Sequence, residues 1–227
     1  MAAMSHHLRT PLNGIMGYAE FIQSSSHEPM IHFTSKIILE NSLDMLHTVN
    51  DILDVLKIQM GQLQLCESEF DVYELLTSVR ELHQPHATRR QLNLQISTNQ
   101  QAPLKMKTDA YRLRQVLNHL VDNAINYTPS TPERTGVITV RVLADRFGHV
   151  VVFQVEDNGP GVPDAEKDLI FQPFYRALGN EADGSGLGLP IVLEIAQQHA
   201  AQVSLEAAQP GRSMPGARFS VRFPSVG

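Results

Sequence analysis

Two groups of residues able to do chemistry stand far apart in this 227-residue chain. Near the amino terminus, Ser5-His6-His7-Leu8-Arg9-Thr10-Pro11-Leu12 sets two adjacent imidazoles before a hydroxyl, with Thr10 one helical turn beyond His6. An imidazole nitrogen is a nucleophile near neutral pH if its other nitrogen is held and its proton accepted. Further on come Asn123-Ala124-Ile125 and two glycine runs, Asp157-Asn158-Gly159-Pro160-Gly161 and Gly184-Ser185-Gly186-Leu187-Gly188-Leu189. Glycine amides ahead of a helix N-terminus cradle phosphate, helped by the helix dipole. There is no Gly-x-x-x-x-Gly-Lys-[Ser/Thr] loop, so any phosphate site is not of the P-loop kind. Asp-x-Gly-x-Gly alone also suits the end of a hairpin. Its position after Val150-Val151-Val152-Phe153-Gln154-Val155 makes the signal stronger.

Hydrophobic periodicity supplies the elements that must position these residues. Leu8, Leu12, Ile15, Ala19 and Ile22 make a helical seam over residues 5 to 25. Ser24 to Pro29 reads as a turn, and a longer helix is expected from Ile31 to Ile58. That helix carries one stripe of Ile38, Ser42, Met45, Val49, Ile52 and Leu56, widened by Leu39, Leu43, Leu46 and Leu53. One hairpin partner cannot cover so much apolar surface. Either a second copy completes a four-helix bundle, or residues 70 to 227 cover the rest. Gly61 and Cys66-Glu67-Ser68 mark a linker, dividing the chain into 1–66 and 67–227. Beyond it the pattern predicts helices at Asp71–Thr88 (Asp71 as N-cap), Asp109–Tyr127 and Leu187–His199. Strands are expected at Leu92–Thr98, Val137–Ala144, Val150–Glu156, Val203–Ala207 and Phe219–Phe223, with a hairpin turn at Arg146-Phe147-Gly148. The fold class is an all-α hairpin followed by an α/β sandwich, a mostly antiparallel sheet with three helices on one face.

A net charge of −6 gives a nucleic-acid backbone no attraction, so that partner class is set aside. The single cysteine, Cys66, forms no intrachain disulfide and is expected to be a small buried residue near the domain junction. No apolar run approaches the ~20 residues that span a bilayer. His83 and His86 have a metal-like spacing, but Pro85 lies between them and no third ligand is evident, so both are read as surface residues.

Taken together, the motifs resemble those of sensor histidine kinases over essentially the whole chain. Ser5 to Leu12 is similar to the H-box at seven of eight positions, and Asn50-Asp51-Ile52-Leu53-Asp54 with Lys57-Ile58-x-x-Gly61-x-Leu63 resembles the hairpin end of hybrid kinases. The resemblance implies a dimerisation and phosphotransfer domain with His6 as phosphoacceptor. Thr10 would orient a water for phosphatase activity on a receiver domain. Asp157-x-Gly159-x-Gly161 and Gly184-x-Gly186-Leu187-Gly188 resemble the G1 and G2 boxes of the Bergerat, or GHKL, ATPases. By that resemblance Asp157 reads the adenine amino group, Gly184, Gly186, Leu187 and Gly188 hold the phosphates of ATP, Asn123 ligates Mg²⁺ and Tyr127 stacks on adenine. Phe171 and Phe174 match the F-box and would pack the base of a lid at 177–183. Arg176 is the candidate cation for a phosphate. The lid carries Glu181 and Asp183 and no Lys or Arg. The implied partners are a second copy of the chain, a response-regulator receiver and another histidine kinase. The implied location is the cytoplasmic portion of a membrane-bound sensor. With Met1 only five residues before His6, the first helix looks cut short and the chain resembles an excised catalytic portion.

Three positions depart from the family pattern. His7 stands where the family has the Glu or Asp that activates the phosphoacceptor. His119 replaces the first asparagine of the N-box; Asn118, one position early, points off the Asn123 face. Asn126 replaces a lysine that contacts phosphate, a loss typically worth ~1.5–3 kcal/mol. Departures of this kind are similar to those of RetS-type hybrid sensors and imply a degenerate kinase that binds or dephosphorylates a partner. ATPases of the chaperone or topoisomerase type share the glycine boxes but not the H-box.

Overall fold

A computed structural model of the chain describes residues 2–25, 28–60, 64–99, 105–144, 150–176 and 185–224. For residues 2–11, 25, 40, 44, 58 and 59 it describes the backbone alone. The chain divides into two compact units, Met1–Leu63 and Gln64–Gly227.

The first unit is a helical hairpin of α1 (Ala2–Ser25) and α2 (Pro29–Gln59). Helix α1 runs through Pro11. Helix α2 begins at Pro29, earlier than its apolar stripe suggests, because proline in the first turn gives up an N–H that has no helical partner there. Leu12 and Ala19 of α1 and Ser35, Ser42 and Leu53 of α2 are buried. The two buried serines donate back to Ile31 O at 2.6 Å and Ile38 O at 2.7 Å, so neither hydroxyl is stranded. Ile15, Ile22, Ile38, Met45 and Ile52 stay 39–55% exposed in the single chain. The hairpin therefore buries one stripe and leaves a second.

The second unit holds β1 (Ser68–Asp71), α3 (Val72–Arg89), β2 (Leu92–Thr98), β3 (Lys105–Thr108), α4 (Ala110–Tyr127), β4 (Gly136–Ala144), β5 (Val150–Asp157), α5 (Gly188–Gln198), β6 (Gln202–Ala207) and β7 (Ala217–Pro224). Five strands form one sheet in the order β2-β4-β5-β7-β6, parallel only between β2 and β4. Alternation sets its two faces. Ile138, Val140 and Val142 of β4, Val151, Phe153 and Val155 of β5, and Phe219, Val221 and Phe223 of β7 point inward and are buried. Thr139, Arg141, Gln154, Glu156, Arg218 and Ser220 alternate with them on the other face. There Glu156 accepts from Arg141 at 2.6 Å and from Arg218 at 2.9 Å. Helices α3, α4 and α5 cover the apolar face, with Leu76, Leu113, Leu117, Leu120, Ile191 and Ile195 fully buried. The predicted hairpin turn at 146–148 lies outside the described residues.

The sequence pattern misses β1 and β3. Each has four residues, too few for alternation to show, and they pair antiparallel from Ser68–Thr108 to Asp71–Lys105, with Lys105 bonded to Glu69 at 2.8 Å. Asp71 caps α3 as expected, its carboxylate accepting from Tyr73 N and Glu74 N. Cys66 is exposed rather than buried. Its backbone N–H donates to Asp109 Oδ2 at 2.8 Å, so the main chain is anchored there without the thiol. His83 is also not a surface residue. It follows Leu76 and Val79 on the inner face of α3 and is 4% exposed. Its Nδ1 lies 3.0 Å from Asp122 and its Nε2 3.1 Å from Asn118, both on α4. Replacing His83 by alanine removes both contacts and opens a void between α3 and α4. Urea unfolding of this unit is expected to show a loss of about 1–3 kcal/mol, and an unshifted midpoint would contradict this packing.

Candidate functional site

Asp157 ends β5 at the level where the sheet gives way to the glycine turn, and it is 8% exposed. Its Oδ1 accepts from Gly159 N at 2.7 Å and from Ala217 N at 3.3 Å. Both bonds use one oxygen, so Oδ2 remains an acceptor for another donor. Burial pushes the carboxyl above the ordinary carboxylate range, and Glu156 adds to the effect; the two amides and Arg134 pull the other way. Gly216 backs this arrangement. A Cβ there would run into the Asp157 carbonyl oxygen, and its φ of 66° is one that L side chains rarely adopt. Gly216 N also donates to Gly159 O at 2.9 Å, tying the β6–β7 connection to the turn. Gly161, at φ 74°, lies against Gly216 from the other side. Arg134 donates to the Asn158 carbonyl and so holds the turn from outside.

Helix α4 supplies the adjoining wall. Its buried stripe of Leu113, Leu117, Leu120 and Ala124 faces the sheet. His119, Asn123, Asn126 and Tyr127 recur at the spacing of a second face, and all four are half-buried. At the carboxyl end of that face, a Cβ on Gly159 would lie 3.0 Å from Tyr127 O, so the Asp157 turn abuts the last residue of α4. At the other end, a Cβ on Gly188 would lie 3.1 Å from His119 Nδ1. Both glycine runs therefore border one face of α4. Gly188 is the first residue of α5, and Leu187 before it makes no side-chain cap and is 1% exposed. The N-terminal amides of α5 are thus left for a ligand or solvent.

The F-box segment is tied to the second glycine run, since Phe174 N donates to Gly186 O at 2.9 Å. Phe171 packs edge-on against Phe219, with centroids 6.5 Å apart. Phe174 does not pack. Its left-handed φ of 64° turns the ring outward, 69% exposed. Arg176 is exposed at the end of the same segment. Gly184 and residues 177–183, including Glu181 and Asp183, lie outside the described residues. His6, His7 and Thr10 fall within α1, where the backbone alone is described.

Gly216 and Ala217 escape the sequence reading, although Pro215-Gly216-Ala217 before an apolar strand was the available signal. Thr128 also escapes it. The residue is 5% exposed, follows α4 directly, and its hydroxyl has no hydrogen-bond partner. Asn118 does point away from Asn123, towards His83. Among the described residues no group of three or more His, Cys, Asp or Glu could hold a metal, and no helix is long and apolar enough to cross a membrane.

Two family models match the chain. Residues 1–61 match the His Kinase A (phospho-acceptor) domain, and residues 108–227 match the histidine kinase-, DNA gyrase B-, and HSP90-like ATPase. The sensor protein GacS of Pseudomonas syringae pv. syringae is 34% identical over 235 residues, covering 100% of this chain and 25% of that protein. The chain spans about a quarter of the length of the curated relatives it matches. The crystal structure of full-length ShkA in complex with AMPPNP superposes with a TM-score of 0.76 at 28% identity, covering 100% of this chain and 46% of that one. Histidine kinase ThkA in complex with the response regulator TrrA gives 0.60 at 25% identity, covering 99% and 60%. With a phospho-acceptor hairpin ahead of a GHKL-type ATPase unit, the chain belongs to the sensor histidine kinases and is, by that family, a histidine protein kinase core.

Proposed function

We propose that this core uses ATP to phosphorylate His6 and passes the phosphoryl group to an aspartate of a response-regulator receiver, with Thr10 orienting a water that hydrolyses the receiver's aspartyl phosphate to inorganic phosphate. The observation that carries the reading is the arrangement of Asp157. A buried carboxylate with one oxygen satisfied by Gly159 and Ala217 offers the other to an exocyclic amine, which selects adenine over guanine. Tyr127, whose carbonyl abuts the same turn, would stack on the base. Asn123, a half-buried amide oxygen, suits a hard cation that takes most of its ligands from water and phosphate. Mg²⁺ bound there would neutralise charge on the phosphates. Gly186, Leu187 and Gly188, with Gly184, would present amides to the same phosphates, and Arg176 a guanidinium. In the transfer, a His6 ring nitrogen forms a bond to the γ-phosphorus, the bond to the bridging oxygen breaks, and ADP leaves. The displaced imidazole proton goes to His7. The AMPPNP complex of ShkA supports nucleotide binding, and the ThkA–TrrA complex supports a receiver as partner.

The exposed stripe of Ile15, Ile22, Ile38, Met45 and Ile52 supports a homodimer, with the transfer in cis or across it. We place this core in the cytoplasmic part of a membrane-bound sensor. A second reading rests on His119. Its ring lies against Gly188, at the start of α5, where a phosphate would sit. Together with His7 and Asn126 this favours a kinase with weak autophosphorylation that acts by binding another kinase, or by dephosphorylating its receiver.

Labelling with radioactive ATP and Mg²⁺ separates the two. Acid-labile, base-stable label on the wild type and none on His6→Ala supports the kinase; no label on either, together with ATP binding too weak to measure by calorimetry, supports the second reading. His7→Glu restores a carboxylate base and is expected to raise the rate about tenfold or more, so an unchanged rate at saturating ATP would refute the role given to His7. Sedimentation of the Ile38→Asp/Ile52→Asp double variant is expected to show monomers where the wild type shows dimers. Asp157→Asn puts an amide donor where an acceptor is needed and should weaken ATP binding roughly 10- to 100-fold by calorimetry. Because the folded pKa is raised, the folded state holds more protons between the unfolded and folded values, and stability falls as pH rises through that window. At neutral pH the ionised carboxylate is a cost, so Asp157→Asn should keep or raise Tm. For the same reason ATP affinity in the wild type should begin to fall on acidification above the pH at which an ordinary aspartate titrates, near ~3.9.

A further inference from the structure

The hydroxyls of Ser35 and Ser42 donate to carbonyls of their own helix, and Ser130 donates to Gln91 O at 2.8 Å and accepts from Gly136 N at 3.2 Å. Thr128, two residues before Ser130, is different. Among the described residues it holds the one buried hydroxyl without a hydrogen-bond partner. Leaving such a group unpaired is destabilising, and a native fold keeps few of them. Its methyl faces Gly136, where a Cβ would lie 3.0 Å from Thr128 Cγ2. A valine would make the same contact and strand no polar group. Packing thus accounts for the methyl and not for the hydroxyl.

The surroundings of Thr128 indicate a partner. A Cβ on Gly159 would lie 2.9 Å from Asp157 Oδ1, 3.0 Å from Tyr127 O and 3.4 Å from Thr128 Cα. Thr128 therefore stands within one residue's width of the carboxylate proposed to read the base. With Tyr127, Pro160 and Met214 it also lines an open cavity of about 460 Å³ beside the glycine turn. Arg90, on another wall of that cavity, is held to α4 by donation to Ile125 O at 2.9 Å and Asn126 O at 3.3 Å, which clamps α3 against α4. Adenine presents two complementary atoms side by side on one edge: the exocyclic amine, a donor, and the ring nitrogen N1, an acceptor. An ionised Asp157 can only accept, so it serves the amine. N1 needs a donor, and a threonine hydroxyl is a donor that rotates to suit its partner.

We propose that Thr128 is a second base-contacting residue of this kinase, its hydroxyl donating to N1 of adenine, directly or through one water, while Asp157 accepts from the amine. The proposal rests on the reading of the Asp157 turn as the nucleotide site. It gives the two residues different tasks. A hydroxyl accepts as readily as it donates, so Thr128 adds affinity without choosing between purines, and the choice stays with Asp157. It also supplies the stranded hydroxyl with its partner in the nucleotide complex.

Calorimetry of ADP with Mg²⁺ on the full chain tests it, using wild type, Thr128→Val and Thr128→Ser, with a melting curve on each protein before nucleotide is added. Valine keeps the shape and removes the hydroxyl. It is expected to melt no lower than wild type while binding ADP about three- to tenfold more weakly. Thr128→Ser keeps the hydroxyl and should bind within about twofold of wild type. 1-Deaza-ADP, with carbon in place of N1, locates the contact: wild type should discriminate against it about threefold or more beyond what Thr128→Val does. Wild-type affinity for ADP in Thr128→Val overturns the proposal, and so does equal discrimination against 1-deaza-ADP by the two proteins. A lower melting temperature in Thr128→Val also overturns it, since the hydroxyl would then be serving the fold. A folded wild type that binds no ADP overturns the reading of the Asp157 site itself, which sets that failure apart from the others.

Discussion

The carboxylate of Asp157 is kept out of water, and much of the second unit is arranged to make that possible. Removing a carboxylate from water is costly unless hydrogen bonds replace those lost. Two backbone amides do so here, one from Gly159 just ahead in the chain and one from Ala217 sixty residues later. The second requires β7 to start level with the end of β5, which the antiparallel register from Glu156–Arg218 to Val150–Pro224 provides. It also requires Gly216 to pass so close to the Asp157 carbonyl that no side chain fits. The Asp157 carboxylate and the sheet are thus held by one set of contacts, and a slip of one residue in β7 would turn the Ala217 amide away.

Helix α4 carries three separate duties on three faces, and its neighbours are placed accordingly. One face is core. The second presents His119, Asn123, Asn126 and Tyr127 to the space between the glycine runs. The third, with Asn118 and Asp122, meets His83 of α3. Because Asp122 directly precedes Asn123, the contact that fixes α3 against α4 also sets the azimuth of the proposed metal ligand. Arg90 makes a second clamp at the far end of the same pair of helices. The geometry of the site is therefore held as much by α3, which contributes no glycine box, as by the motifs themselves.

What was legible in the sequence was what local pattern determines. The period of apolar residues placed α4 and α5 to within a residue, and Asp71 announced the start of α3 through its capping chemistry. The long strands β4 and β5 alternate clearly enough to be read. What was not legible depends on pairing over distance. Strands β1 and β3 exist because they meet, not because four residues declare a strand. His83 looked like a solvated residue because nothing near it in sequence foretells Asn118 and Asp122. Helix α3 does run through Pro85, as the pattern over Asp71–Thr88 predicts. Gly216 and Arg90 matter only through residues they reach across the fold. The motifs named the pocket, but its supporting contacts had to be seen in three dimensions.

Charge and space decide how far the departures at His119 and Asn126 would weaken the proposed site. The chain carries a net charge of −6, so an anionic ligand gains nothing at long range and must be held by local donors. Several cations are already committed elsewhere: Arg141 and Arg218 to Glu156 on the outer face of the sheet, and Arg134 to the glycine turn. At His119 the consequence would be steric, because the imidazole lies against Gly188, where the proposed site puts the phosphates. At Asn126 it would be electrostatic, since a neutral amide stands where the family carries a cation. The two departures therefore differ in kind. One would remove a charge and the other would take up room, and in the proposed site only a movement of the His119 ring would relieve the second.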